Sequence, residues 1–304
     1  MIKNIFNAVV FIIAITGCSK KTVDTPVAMV PERLEIGPAS TSILNGGMAT
    51  FTLKFFNNIG QQASVPASVV WSSANTTIAT VNQQGEVTGK APGQVEIKAT
   101  YNTATFATAL LTVAANNTTL AMVTIAPADS VELKLNATTT LVATGKNNAG
   151  GTITGLTFTW ASAATSIADV STAGLVTAKG YGTANITAAS GGIQSAPVMV
   201  QVIREGNFIT MGSAGMAKLK IENGILKLKT SGTFSVQTGP PDLRIYLGND
   251  FNTIAGAVEV ASLNQRTGAQ SWNIASPTTI GQYKYAFVWC KQFGGQYGYA
   301  DLGN

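Results

Sequence analysis

Apolar and polar residues alternate with a period of two along much of the chain. Val95, Ile97 and Ala99 are separated by Glu96 and Lys98, which puts the apolar set on one face of an extended strand and the charged set on the other. Residues 217–229 (AKLKIENGILKLK) contain two such runs around Asn223 and Gly224, a pair that reverses the chain into a tight hairpin. Pro240 and Pro241 interrupt the chain before another predicted strand over 243–247. Residues 283–290 are read as the final strand, with Tyr283, Tyr285, Phe287 and Trp289 on one face and Lys284, Ala286, Val288 and Cys290 on the other. Both faces are mainly apolar, which predicts a central position in a sheet; the aromatic stripe suits the wall of a haem pocket or an electron path, and more simply a sandwich core. Ile5, Phe6 and Ala8 to Ile15 form an apolar stretch broken only by Asn7 and preceded by Lys3, too short to span a bilayer.

The pattern is duplicated. Residues 71–99 (WSSANTTIATVNQQGEVTGKAPGQVEIKA) align without a gap on 160–188 (WASAATSIADVSTAGLVTAKGYGTANITA). The same offset relates Leu34, Ile36 and Pro38 to Val123, Ile125 and Pro127. A constant offset of this size marks duplication of a whole domain rather than a solenoid repeat. Gly85 and Gly174 suit turns with positive φ, and Gly93 and Gly182 open the strands that follow. Trp71 and Trp160 each offer a large apolar body to pack between two sheets. The fold class expected is all-β: two tandem β-sandwiches over 31–115 and 120–203, then a third sandwich or barrel-like domain over 204–304.

The repeated residues resemble the bacterial immunoglobulin-like domain, group 2, with its Trp-Ser-Ser segment, Ile-Ala-x-Val segment, Gly-x-Val-Thr turn and Gly-x-x-x-Ile strand. The first copy follows the pattern more closely. In the second, Ala161 replaces the serine after the tryptophan and Tyr181 stands where the first copy has Pro92. The resemblance implies Ig-like modules that act as spacers or as adhesive binding domains. Asp129, Ser130 and Val131 look like an O-glycosylation acceptor.

Composition narrows the chemistry. Charged residues are 11% of the chain and the net charge is +5; the only basic run is Lys20 and Lys21, so nucleic acid is not expected as a partner. There is no histidine, and the two cysteines are Cys18 and Cys290. Residues 1–17 read as a signal peptide, and Ile15, Thr16, Gly17 and Cys18 resemble a bacterial lipobox. That resemblance implies acylation of Cys18, a membrane partner through the lipid, and a tether over 18–30. It also implies a cell-envelope location, at the outer membrane or cell surface.

Residues 204–304 differ from the repeats and resemble the DM-thirteen domain. The matching residues are Gly206, Asn207 and Phe208; Pro241, Asp242 and Leu243 with Tyr246 and Leu247; Gly268, Gln270, Trp272 and Ile274; and Val288, Trp289 and Cys290 with Phe293. Trp272 stands where that family often has tyrosine. The resemblance implies electron transfer or thiol redox through Cys290, as a bare thiol or as a ligand to haem. Haem would need thiolate ligation here, with Met211 or Met216 as trans ligand; both methionines also suit core gaps. A bare redox thiol needs a nearby cation, for which Lys291, Lys284 and Arg244 are the candidates. Cys290 equally suits a packed core. Asp242 either orients a ligand or thiol partner or caps the turn after Pro241.

Without histidine, a Gly-x-Ser-x-Gly elbow or a phosphate-binding loop, the sequence favours no hydrolase. The principal expectation is a membrane-anchored lipoprotein whose C-terminal domain works in redox chemistry with a partner protein, the Ig-like domains being spacers. The alternative is a noncatalytic adhesin that binds a glycan or protein at the cell surface.

Overall fold

The computed structural model describes residues 29–303 apart from Asp129, Thr210, Met211 and Asn223; the signal peptide, Cys18 and most of the tether lie outside the described residues. The protein is all-β. The first repeat places Arg33–Gly37, Thr52–Phe56 and Gln62–Ala63 in one sheet, and Ser40–Leu44, Phe106–Ala114, Gly93–Thr100 and Val70–Ser73 in the facing one. A small third sheet is made by Met48–Thr50, Glu86–Gly89 and Ala79–Val81. In the second repeat, Leu120–Ala126, Val142–Asn147 and Thr152–Ile153 form the first sheet, and Thr138–Thr140, Leu175–Ala178 and Ala168–Val170 the small one. Duplication of sequence is therefore duplication of pairing.

The period-two reading holds at side-chain level. Ile97 and Ala99 are wholly buried while Glu96 faces solvent. Trp71 packs with Phe51, Val87 and Leu111 between the sheets, and Trp160 lies half-buried at the equivalent place. Gly85 has φ of 78° and Gly174 of 79°. A Cβ on Gly85 would stand 2.6 Å from the Phe51 carbonyl oxygen and 3.0 Å from the Trp71 ring, and Gly174 meets the same obstacles from Leu141 and Trp160. The glycine thus serves two ends, the left-handed turn and the seat of the tryptophan.

The expected boundary at 203/204 falls inside a single strand. Val198–Ile209 pairs through its first half with Gly182–Ser190 and, in parallel, with Val131–Lys134 of the second repeat. Its second half pairs with Met216–Glu222 and Gly295–Asp301 of the C-terminal domain. Around it the C-terminal sheet runs Val258–Ser262, Leu243–Gly248, Tyr285–Cys290, Gly295–Asp301, Val198–Ile209, Met216–Glu222, Ile225–Thr230, Ser271–Asn273. Its two edge strands approach each other, giving a nearly closed barrel. The predicted hairpin is present, with Glu222 opposite Ile225 and Gly224 at φ of 77°. Gly206 on the shared strand leaves room for the Asp301 carbonyl, which any Cβ there would strike.

Two expectations about the end of the chain are corrected. Tyr285–Cys290 is central, between Leu243–Gly248 and Gly295–Asp301, and is not the last strand. The glycine-rich run after Phe293 hides that last strand, because glycine weakens the strand signal. Pairing also begins only at Tyr285, so Tyr283 escapes the alternation and belongs to the barrel core.

Side chains tie the domains together. Gln94 donates to the Gln194 carbonyl and accepts from its N–H, each at 2.9 Å, joining the two repeats. Arg204, buried in the middle of the shared strand, donates to the carbonyls of Ile280 (3.2 Å), Tyr283 (2.6 Å) and Gly303. The Tyr181 ring lies 5.7 Å from its guanidinium and packs against the cores of both the second repeat and the barrel. The replacement of proline by Tyr181 in the second copy therefore has a structural reason: only that copy has the barrel beside it.

Gly85→Ala should lower the stability of the first domain by about 3 kcal/mol, combining left-handed strain with overpacking. Gly46→Ala, at φ of 79° with nothing within 4 Å, should cost only the strain, about 1 kcal/mol. Denaturant titration of both variants measures the gap; equal losses would refute the role given to the tryptophan seat.

Candidate binding surface on the C-terminal domain

Cys290 lies wholly inside the barrel, 0% exposed, among Leu243, Ile245, Val288 and Leu263. The three cations considered for its thiol are engaged elsewhere. Lys291 Nζ sits 2.9 Å from Glu259, Lys284 Nζ 3.7 Å from Asp301, and Arg244 binds Asp242 and Glu259. Asp242 accepts from Arg244 Nε at 2.9 Å, on the outer side of the strand whose next residue, Leu243, lies opposite Cys290 in the core. The structure does not bring Asp242 and the thiol together. Met216 begins a strand whose Ala217 and Leu219 face the core, so it points outward with Lys218 and Lys220, three strands round the barrel from Cys290. Cys290 and Met216 therefore do not converge on one ligand, and as placed they do not fit a haem. Met211, Cys18 and Asp129 lie outside the described residues.

The aromatic stripe of 285–289 was expected in a sandwich core and is instead the outer face of the barrel wall. Strand alternation sends Ala286, Val288 and Cys290 inward and Tyr285, Phe287 and Trp289 outward. Register completes the layer across three neighbours. Phe287 stands between Tyr246 on one side and Tyr299 on the other, and Glu259 stands opposite Tyr246 on its far side. Tyr246 stacks on Phe287 at 5.5 Å between centroids. Phe251, from the loop after Leu243–Gly248, lies face to face with Tyr299 at 3.7 Å and edge-on to Tyr285 at 4.9 Å. Such contacts stabilise by roughly 1 kcal/mol each beyond area burial. Tyr246 and Phe287 are buried beneath this layer, while Phe251, Tyr285, Trp289 and Tyr299 remain half-exposed. No local pattern announces the layer, since its rings come from three strands and a loop that only the topology brings together.

Charges border the rings. Glu259 accepts from Arg244, from the Tyr246 hydroxyl at 2.9 Å and from Lys291. Burial alone would push the Glu259 carboxyl up; hydrogen bonds from Lys291, Arg244 and Tyr246 outweigh it and hold it at about 2. Burial and the bond to Glu259 push the Tyr246 phenol up to about 12. Hydrogen bonds to Asp242 and Glu259 raise the Arg244 guanidinium further above its ordinary value. The surface thus combines rings fixed by packing with ionised groups whose orientation is fixed by one another.

The profile of the bacterial Ig-like domain (group 2) matches residues 33–113 and 119–200. The chain belongs to this family. Its two Ig-like domains are the two repeats, and the barrel follows the second matched segment. Ice-binding protein 1 of Shewanella frigidimarina (strain NCIMB 400) is 32% identical over 246 residues, covering 80% of this chain. This chain spans only 27% of that relative's length. Among solved structures, domains 4 and 5 of the S-layer protein SbsC share 24% identity, at a TM-score of 0.25 over 49% of this chain and 89% of that one. FdeC, an Escherichia coli adhesin, shares 14% identity at a TM-score of 0.23, over 92% of this chain and 99% of that one.

Two outcomes test the geometry. Because the Glu259 carboxyl is held below its ordinary value of 4.5, its ion pairs contribute fully above that pH and are lost as pH falls toward about 2. Thermal unfolding across pH should therefore show Glu259→Gln less stable than the parent near neutrality, the gap closing in acid; a constant gap would contradict the assignment. In a Cys18→Ser background, Cys290 in the folded protein should resist an aromatic disulfide reagent and react only at the rate of global unfolding. Immediate native-state labelling would contradict its burial.

Proposed function

We propose that the chain is a noncatalytic, envelope-displayed binding protein in which the two Ig-like domains carry the barrel outward and the barrel's aromatic face contacts the partner. The carrying observation is that face: partly exposed Tyr285, Trp289 and Tyr299 on strands, with Phe251 from a loop, around buried Tyr246 and Phe287, at the end of the Ig-like pair. Exposed aromatic bodies with polar borders characterise binding surfaces. The relative named as an ice-binding protein agrees in kind with a noncatalytic binding role. In this reading the lipobox at Cys18 supplies the anchor and the tether after it supplies reach.

The redox reading rests on the resemblance of 204–304 to DM-thirteen domains. A fully enclosed sulfur with its candidate cations paired away from it favours the binding reading, in which Cys290 fills the core.

The test is flow cytometry of fluorescently labelled purified chain on intact bacterial and animal cells. Saturable binding that Cys290→Ala leaves unchanged is expected. Absence of binding on every cell type would defeat the proposal, and loss of binding in a folded Cys290→Ala variant would return the sulfur to the centre of the function.

A further inference from the structure

The aromatic face has a second property, its charge balance. Arg244 and Lys291 are paired with Asp242 and Glu259, and Lys284 with Asp301. The ionised groups bordering the rings therefore cancel, although the chain as a whole is basic at +5. A locally neutral face repels neither sign and attracts neither over distance. What it offers at contact is flat ring surface and a border rich in fixed hydrogen-bonding groups. Asp242 and Glu259 keep acceptor capacity beyond their present bonds, since a carboxylate has about four lone-pair sites.

From this complementarity we propose that the barrel face binds a neutral carbohydrate chain, the sugar rings stacking on Trp289 and Tyr285 and their hydroxyls bonding to Asp242 and Glu259. A pyranose carries C–H groups on its ring faces and hydroxyls around its rim, and it has no charge. The barrel face has the matching arrangement, apolar rings inside a polar, uncharged-on-balance border. Tyr285 and Trp289, four residues apart on one strand, stand about 13 Å apart, a span that accommodates more than one sugar ring. The layer beneath, Tyr246 on Phe287 at 5.5 Å, holds the strand faces in place, so little side-chain ordering is required on binding. An anionic glycan finds no excess cation here, and a protein partner would have to bury the Arg244 and Glu259 pairs at a desolvation cost that a hydroxylated ligand avoids.

This inference rests on the proposed binding function and is tested separately from it. The probes are suspensions of cellulose, chitin, starch and β-1,3-glucan, with alginate as an anionic comparison, and the readout is depletion of the full chain from solution. Depletion by at least one neutral polysaccharide is expected, and it should persist at about 1 M salt, where the screening length is about 3 Å. Trp289→Ala should weaken it about tenfold, the scale of one lost stacking contact. Circular dichroism checks the fold of that variant; if it does not fold, Trp289→Leu keeps apolar bulk without the flat ring and should show the same loss. The inference is overturned if no neutral polysaccharide depletes the chain, if the folded Trp289 variant binds like the parent, or if only alginate binds and salt abolishes it. Cell binding with no polysaccharide binding would remove the ligand class and leave the binding function standing. Absence of both would remove both.

Discussion

The strand Val198–Ile209 belongs to two domains at once, and most of the architecture follows from that. Its first half closes the second Ig-like domain and its second half opens the barrel, so there is no linker whose flexibility could separate them. Placing the change of partner in mid-strand brings Arg204 into the interior. A buried guanidinium is costly unless its donors are met; the carbonyls of Ile280, Tyr283 and Gly303 take up both Nη groups, while Nε is buried without a partner among the described residues. Those carbonyls come from the segment before Tyr285–Cys290 and from the end of the chain, so the same charge that joins the domains also fixes the ends of the strands that form the aromatic face. Glu132 of the Ig-like domain reinforces the joint from outside by accepting from Lys218 and, at 2.9 Å, from Lys220.

The barrel wall does two things with one set of strands. Leu243, Ile245 and Leu247 fill the core while Arg244 and Tyr246, between them, face out; Ala286, Val288 and Cys290 do the same against Tyr285, Phe287 and Trp289. Because the inward set is packed without exposure, the outward set cannot shift without disturbing the core. A surface built on strands in this way is held more firmly than one built on loops. This also explains why the lone described cysteine is so confined: it is the inward member of the strand that carries the most prominent outward rings.

Much of the architecture was legible in the chain because its signals are local or periodic. The duplicated tryptophan-to-glycine pattern specifies both Ig-like domains, and the Asn223–Gly224 step specifies the hairpin that follows the joint. The alternation of 285–290 specifies a central strand. What the sequence concealed depends on pairing between distant segments. Whether a half-apolar face lies inside or outside a barrel is decided by its neighbours, and so the aromatic stripe was placed in the core when it lies on the wall. The continuity of Val198–Ile209 was concealed as well, since change of partner within a strand leaves the alternation unbroken. Tyr181 was visible only as a departure from the repeat; its reason lies in the neighbouring barrel.

In each Ig-like domain the second strand runs parallel to the last. Ser40–Leu44 lies alongside Leu110–Ala114 in five register steps, and Val131–Lys134 alongside Val200–Ile203 in four. Tension drawn between the N-terminal side of each domain and the barrel would pull these neighbours past one another lengthwise. Their hydrogen bonds would then share the load together in shear, rather than opening one after another as they do when two strands are peeled apart from one end. The duplicated fold is thus arranged as two elements in series, each presenting a parallel strand pair in shear to a pull along the line from the first domain to the barrel.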